Sequence, residues 1–231
     1  MLTAPQNPAA GLASVRDRIT VAARAAGRAP GSVTLIGVCK SQPLERVRAA
    51  LDAGLADLGE NYLQEARAHF DALAGRTFAR HFIGPLQSNK SREVASHFDW
   101  VHTVDRIRIA ERLSSQRPES MAPLEVCIQV RIGDEASKSG VAPDALAALA
   151  GAVGALPRLR LRGLMALPPP EADAARQRHW FAELRSLLEG LNAAGLRLDA
   201  LSMGMSGDFE AAIAEGATHV RVGTAIFGAR D

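Results

Sequence analysis

Val33-Thr34-Leu35-Ile36-Gly37-Val38-Cys39 is a short apolar run, Leu44, Val47 and Leu51 follow it at helical spacing, and Ala56-Asp57-Leu58-Gly59 is a second short run. Strand, amphipathic helix and strand in that order make the unit of a parallel sheet, because parallel neighbours need a crossover and a helix supplies one. The unit recurs along the chain. Further strands are predicted at Ala79–Ile83, Trp100–Val104, Leu124–Ile132, Leu159–Met165, Ala200–Met203 and Thr218–Val222, eight in all. Buried helical stripes lie between them at Ile107, Ala110 and Leu113, at Leu146, Leu149 and Val153, and at Trp180, Leu184, Leu187 and Leu191. A leading helix at about 9–26, with Leu12, Val15, Ile19 and Ala22 on one face, ends at Gly27. It is expected to cover the side left open where the chain stops soon after the eighth strand.

Eight strands, seven intervening helical segments and one leading helix predict an α/β fold: a single (β/α)8 TIM barrel over residues 1–231 with an extra N-terminal helix. An open doubly wound sheet fits less well, since no G-x-G-x-x-G turn follows the first strand. Pro168-Pro169-Pro170 is read as a stiff loop within the barrel rather than a linker.

Bulk properties narrow the function. The net charge of +2 comes without any basic run, so nucleic acid is not the expected partner. Arg158, Arg160 and Arg162 alternate with leucines and read as a polar row flanking a strand. Cys39 and Cys127 sit in apolar runs without paired spacing, which suits a reducing cytoplasm and offers neither a disulfide nor a zinc site. The six histidines show no metal-binding spacing. No apolar stretch approaches the roughly 20 residues of a membrane span, and no signal peptide opens the chain, so a soluble cytoplasmic protein is expected.

Lysine is scarce. Lys40, Lys90 and Lys138 are the only three among 27 basic residues, and Lys40 stands at the C-terminal end of the first strand, where barrels carry their active face. An amine can lose its proton and attack a carbonyl; a guanidinium stays charged. A Schiff base on Lys40 is one reading, and a chance survivor of an arginine-rich composition is the other. Lys90 and Lys138 lie in polar loops, as surface charges or as contacts for phosphate.

The last two strands point to an anion site. Gly204-Met205-Ser206-Gly207-Asp208 leads into a helix, and Gly223-Thr224 follows Val220-Arg221-Val222. Ser206 is thus near a helix N-terminus, and Gly223 with Thr224 offers a tight turn beside a hydroxyl, where barrel phosphate sites lie. A plain helix cap is the alternative. A reactive lysine facing a phosphate cup describes pyridoxal 5'-phosphate. Arg221 is then placed to face the ring nitrogen and keep it unprotonated, because adjacent positive charges repel; pairing with a neighbouring carboxylate is the alternative. His81 opens the third βα segment and completes the set.

Val38-Cys39-Lys40-Ser41-Gln42-Pro43, Gly59-Glu60-Asn61-Tyr62, His81-Phe82-Ile83-Gly84-Pro85-Leu86-Gln87-Ser88-Asn89-Lys90, Ser137-Lys138-Ser139-Gly140, Arg162-Gly163-Leu164-Met165, Met203-Gly204-Met205-Ser206 and Val220 to Gly228 together resemble the pyridoxal phosphate homeostasis protein family. The resemblance runs from about residue 10 to the C-terminus. It implies a fold-type III barrel similar to the N-terminal domain of alanine racemase, with Lys40 as the internal aldimine. It further implies Ser206, Gly223 and Thr224 on the phosphate, Arg221 at the pyridine nitrogen, and Asn61, His81 and Met165 more loosely around the ring. Cys39 replaces the family's usual serine, and a thiol beside the cofactor is open to oxidation.

Racemisation needs an acid and a base on opposite faces of the substrate, and alanine racemase takes one, a tyrosine, from a second domain. This chain ends just past the barrel, and its only tyrosine is Tyr62. The resemblance therefore implies a monomeric carrier or regulator of the intracellular vitamin B6 pool, with pyridoxal phosphate-dependent apoenzymes as possible recipients and no robust turnover of its own. A pyridoxal phosphate-dependent racemase and a class I, Schiff-base aldolase are the alternatives.

Overall fold

Each predicted apolar run forms a strand in the computed structural model, which describes residues 7–133, 139–169 and 171–228. The strands are β1 (Thr34–Val38), β2 (Asp57–Glu60), β3 (Ala79–Phe82), β4 (Trp100–Val104), β5 (Leu124–Gln129), β6 (Leu159–Met165), β7 (Ala200–Ser202) and β8 (His219–Val222). All pair in parallel in chain order, and β8 returns to β1 to close the barrel. In that register Ile36 of β1 lies between Asp57 on β2 and Arg221 on β8. The fifth strand stops at Gln129, short of the predicted Ile132, and Val130 makes only an isolated bridge to Val141.

Helices alternate with the strands: α1 (Pro8–Ala25), α2 (Leu44–Asp52), α3 (Leu63–Ala72), α4 (Ser91–His97), α5 (Ile107–Gln116), α6 (Pro143–Gly154), α7 (Ala174–Ala193), α8 (Phe209–Ala214) and α9 (Thr224–Phe227). Asn7 caps α1 by accepting from the Ala9 N–H at 2.9 Å, and Pro8 suits the first turn because it has no N–H to satisfy. The buried stripe Leu12, Val15, Ile19 and Ala23 seats α1 against α2, α8 and α9, over the seam where β8 meets β1. In α7 the buried face is Phe181, Leu184, Leu188 and Leu191; Trp180 and Leu187 flank it, only partly buried.

Alternation along the strands separates two interiors. Leu58, Val101, Val126, Ile128, Leu164, Val220 and Val222 face the helices and join the main core. The lumen holds a small cluster of Cys127, Met165 and Ala200 with Trp100 against it, and a set of buried polar groups described below. The arginine row is tied down: Arg158 donates to the carbonyls of Arg117, Pro118 and Met121, Arg160 pairs with Glu125, and Arg162 pairs with Glu125 and Asp199. It is a structural row, as read from the alternation with leucine.

Candidate functional site

The chain leaves β1 at Val38, and Lys40 follows where the backbone turns sharply. Ser41 adopts φ 56, a left-handed conformation that costs a side-chain-bearing residue roughly 1–2 kcal/mol and persists only when neighbours enforce it. Here the Ser41 N–H donates to Glu65 Oε2 at 2.8 Å, and His69 Nε2 donates to the Gln42 carbonyl at 3.1 Å. His69 Nδ1 meets Glu60 Oε1 at 2.6 Å in turn. The Lys40 loop is therefore fixed from α3 and from the end of β2. Lys40 Nζ lies over the Tyr62 ring, 5.1 Å from its centroid.

Asn61 follows β2 and forms the adjoining wall. It packs so closely on Gly84 that a Cβ there would stand 2.1 Å from the Asn61 carbonyl oxygen, which explains the glycine in the Ile83-Gly84-Pro85 turn. The 205–208 loop is shaped in a similar way. Gly204 has φ +91, and a Cβ would meet Ala212 Cβ at 2.7 Å and Phe209 Cα at 2.9 Å. Asp208 then accepts the Met205 N–H at 2.5 Å, closing the loop around Ser206. Burial raises the Asp208 carboxyl above its usual range, against that hydrogen bond and the nearby Arg221 charge. After β8, α9 makes its first internal bond from the Ile226 N–H to the Gly223 carbonyl. The amides of Thr224 and Ala225 precede that bond and suit an outside acceptor.

These segments enclose one cavity of about 380 Å³, lined by Lys40, Asn61, Ser206, Arg221, Gly223 and Thr224 together with Val38, Ile83, Leu167, Met205 and Gly207. That is the size of a small-ligand site. Arg221 is buried at 4% exposure; it donates to Ser202 Oγ at 2.7 Å and to the Ala166 carbonyl at 2.9 Å while presenting itself to the cavity. Burial lowers its pKa to about 10, with Asp208 acting the other way, so the guanidinium stays charged at neutral pH.

Six of the eight sequence-predicted residues thus meet. His81 and Met165 do not line this cavity. Phe82 points into the helix layer, so the pleat turns its neighbour His81 inward, where it bonds to Asp57 and His102 and stacks on Trp100 at 5.7 Å. Met165, fully buried, packs with Cys127 and Ala200. Lys90 is exposed at the rim of an adjoining cavity of about 300 Å³ that also holds Asn61, Tyr62 and Pro85. Lys138 lies outside the described residues. The Cys39 thiol is fully buried against the helices, and burial together with the Glu60 charge pushes it well above the usual thiol range, which removes the expected exposure to oxidation.

Sequence reasoning passed over Tyr62 as a wall, Met205 and Leu167 as apolar rims, and the polar residues beneath Arg221. Tyr62 and Met205 stand inside motifs already singled out; Leu167 carried no signal. A larger groove of about 650 Å³ runs along α1 and α8; of its charged lining Arg18 pairs with Glu210 and Arg178 with Glu215, and Asp17 is the remaining charge.

The family described as alanine racemase, N-terminal domain, matches residues 12–231. The pyridoxal phosphate homeostasis protein of Pseudomonas aeruginosa is 60% identical over 95% of this chain and 94% of its own length. That of Escherichia coli K12 is 53% identical over 95% of each. The structure of PipY from Synechococcus elongatus PCC7942 with pyridoxal phosphate bound superposes with a TM-score of 0.85 at 38% identity, covering 96% of this chain and all of that one.

Proposed function

Because the chain belongs to the pyridoxal phosphate homeostasis protein family, we propose that it binds pyridoxal 5'-phosphate at the barrel mouth, reversibly tethered to Lys40, and so holds part of the intracellular vitamin B6 pool. The observation that carries this reading is the shared cavity: one amine, one buried guanidinium and two glycine-containing loops around about 380 Å³. The cofactor supplies an aldehyde, a phosphate and a pyridine ring, and the residues fit each. The Lys40 amine condenses with the aldehyde, with loss of water, to a Schiff base. Ser206, Gly223 and Thr224 receive the phosphate. Arg221 faces the pyridine nitrogen, and its fixed charge keeps that nitrogen unprotonated. Asn61 and the Tyr62 ring bound the space around the amine.

The same lining supports a carrier over a racemase. Among the described lining residues Lys40 is the sole amine, and the phenol beside it, Tyr62, offers the amine its ring. An unprotonated ring nitrogen further weakens the cofactor as an electron sink. A class I aldolase has no use for Arg221 in this place. Residues 1–231 are read as one functional unit that works as a monomer in the cytoplasm and passes its cofactor to apoenzymes. No helix among the described residues is long and apolar enough to cross a membrane.

Absorbance spectra of wild type and Lys40→Ala with added pyridoxal phosphate test the reading. Wild type develops an imine band that borohydride traps on the Lys40 peptide, and the variant does not. A colourless wild type that forms imines with sugar phosphates instead makes it an aldolase, and rapid loss of optical purity in an amino-acid panel makes it a racemase.

A further inference from the structure

Beneath the cavity, five buried or half-buried polar side chains from different strands lie in line. Asp57 Oδ1 of β2 is 3.0 Å from His81 Nε2 of β3; His81 Nδ1 is 3.0 Å from His102 Nε2 of β4; His102 Nδ1 is 2.8 Å from Ser202 Oγ of β7; and Ser202 Oγ is 2.7 Å from Arg221 Nη1 of β8. His81 and His102 are 1% and 0% exposed. The line ends at Asp57, which opens β2 on the side of the barrel away from Lys40, with its side chain 23% exposed.

With both rings neutral, the direction of every bond follows from donor chemistry. Arginine only donates, so Ser202 Oγ accepts from Arg221 and has its single proton left to give to His102 Nδ1. Desolvation holds the His102 pKa well below its ordinary value, and the permanent Arg221 charge acts the same way, so the ring is neutral and, with Nδ1 accepting from Ser202, its proton sits on Nε2. That proton goes to His81 Nδ1, which leaves His81 with its proton on Nε2, facing the Asp57 carboxylate. A carboxylate only accepts. Starting from Asp57 and working back gives the same assignment, so the two ends agree. The other groups around the rings are Trp100 of β4, which stacks on His81, and His219 of β8, which burial holds at a pKa of about 4 and which bonds to Thr218.

We infer that Asp57, His81, His102 and Ser202 are positioning residues: a one-way hydrogen-bonded line, with both imidazoles as the Nε2–H tautomer, that fixes the Arg221 guanidinium toward the cavity. Aimed this way, Ser202 has given its proton to His102 and has only lone pairs to offer Arg221, so it meets the guanidinium as an acceptor. The inference deepens the proposed cofactor site and rests on it for the purpose of the line, though not for its direction.

Two-bond proton–nitrogen NMR of the imidazoles in the ligand-free protein reads that direction without any cofactor. In the neutral form of each ring, His81 and His102 are expected to show a bare Nδ1 and a protonated Nε2. A dominant Nδ1–H form at either ring overturns the inference. Asp57→Asn keeps an accepting oxygen and retains the wild-type tautomers, whereas Asp57→Leu gives mixtures at both rings; identical behaviour of the two variants also overturns it. If Asp57→Leu fails to fold, the wild-type tautomers still decide. Ser202→Ala is expected to weaken pyridoxal phosphate binding roughly tenfold, the cost of one lost hydrogen bond to a charged group, and to move the cofactor's ring-nitrogen shift. Wild-type affinity and an unmoved shift in Ser202→Ala sink the positioning role. A wild type that binds no pyridoxal phosphate sinks the proposed function instead and leaves the tautomer result standing.

Discussion

Glu60 and His69 meet at 2.6 Å beneath the loop that carries Lys40, and the far nitrogen of the same imidazole donates to the Gln42 carbonyl. One proton is therefore shared between a fully buried carboxyl and a ring that needs both nitrogens protonated to satisfy its partners. The hydrogen bond to Glu60 raises the His69 pKa above its ordinary 6.5, and burial raises that of Glu60 above 4.5. Both groups bind protons more tightly folded than unfolded. Their contribution to stability is complete at low pH and is lost as pH rises, for Glu60 above 4.5 and for His69 through its raised value.

Melting temperature measured against pH is accordingly expected to fall more steeply above pH 6.5 in wild type than in Glu60→Gln. The amide keeps an acceptor for His69 but no charge to share. Each kcal/mol corresponds to roughly 2–4 °C for a chain of this size. Parallel curves for the two proteins would remove the shared proton from the account.

Gly204→Ala is expected to lower stability by about 2–4 kcal/mol, combining left-handed backbone strain with overpacking against Ala212 and Phe209. Urea unfolding measures it. The displaced 205–208 loop should also weaken pyridoxal phosphate binding, while Gly207→Ala, whose Cβ meets nothing within 4 Å, should change stability little.

Cys39 and Cys127 are fully buried, and burial raises the Cys127 thiol to about 12 and that of Cys39 well above the thiol range. A thiol reagent such as dithionitrobenzoate is expected to label neither residue in the native protein and both in denaturant. Rapid native labelling of Cys39 would mean that the Lys40 loop opens on that timescale.

Tyr62 presents its ring, not a partner for proton transfer, to the Lys40 amine. Tyr62→Phe should leave the affinity for pyridoxal phosphate unchanged, and Tyr62→Ala should reduce it by roughly two- to fivefold, the scale of an exposed cation–π contact. A large loss in Tyr62→Phe would assign the hydroxyl a direct role.

By itself the sequence determined the barrel and most of its mouth. Strand–helix alternation is a local property, written in side-chain periodicity, and it places the end of each strand on one face; Lys40, Asn61, Ser206, Arg221, Gly223 and Thr224 could therefore be brought together from their positions alone. Only the tertiary structure decided what lies below that mouth. Whether His81 faces the cavity or the lumen depends on the pleat of β3, and its partners come from β2 and β4. The closure of the barrel brings Ser202 within reach of His102, 100 residues away along the chain, and Arg221 within reach of Ser202. Glu60 and His69 likewise required the angle at which α3 returns over β2. Periodicity says which face a residue takes; which residues from other strands meet it there is set by register and barrel closure, and neither leaves a local mark in the chain.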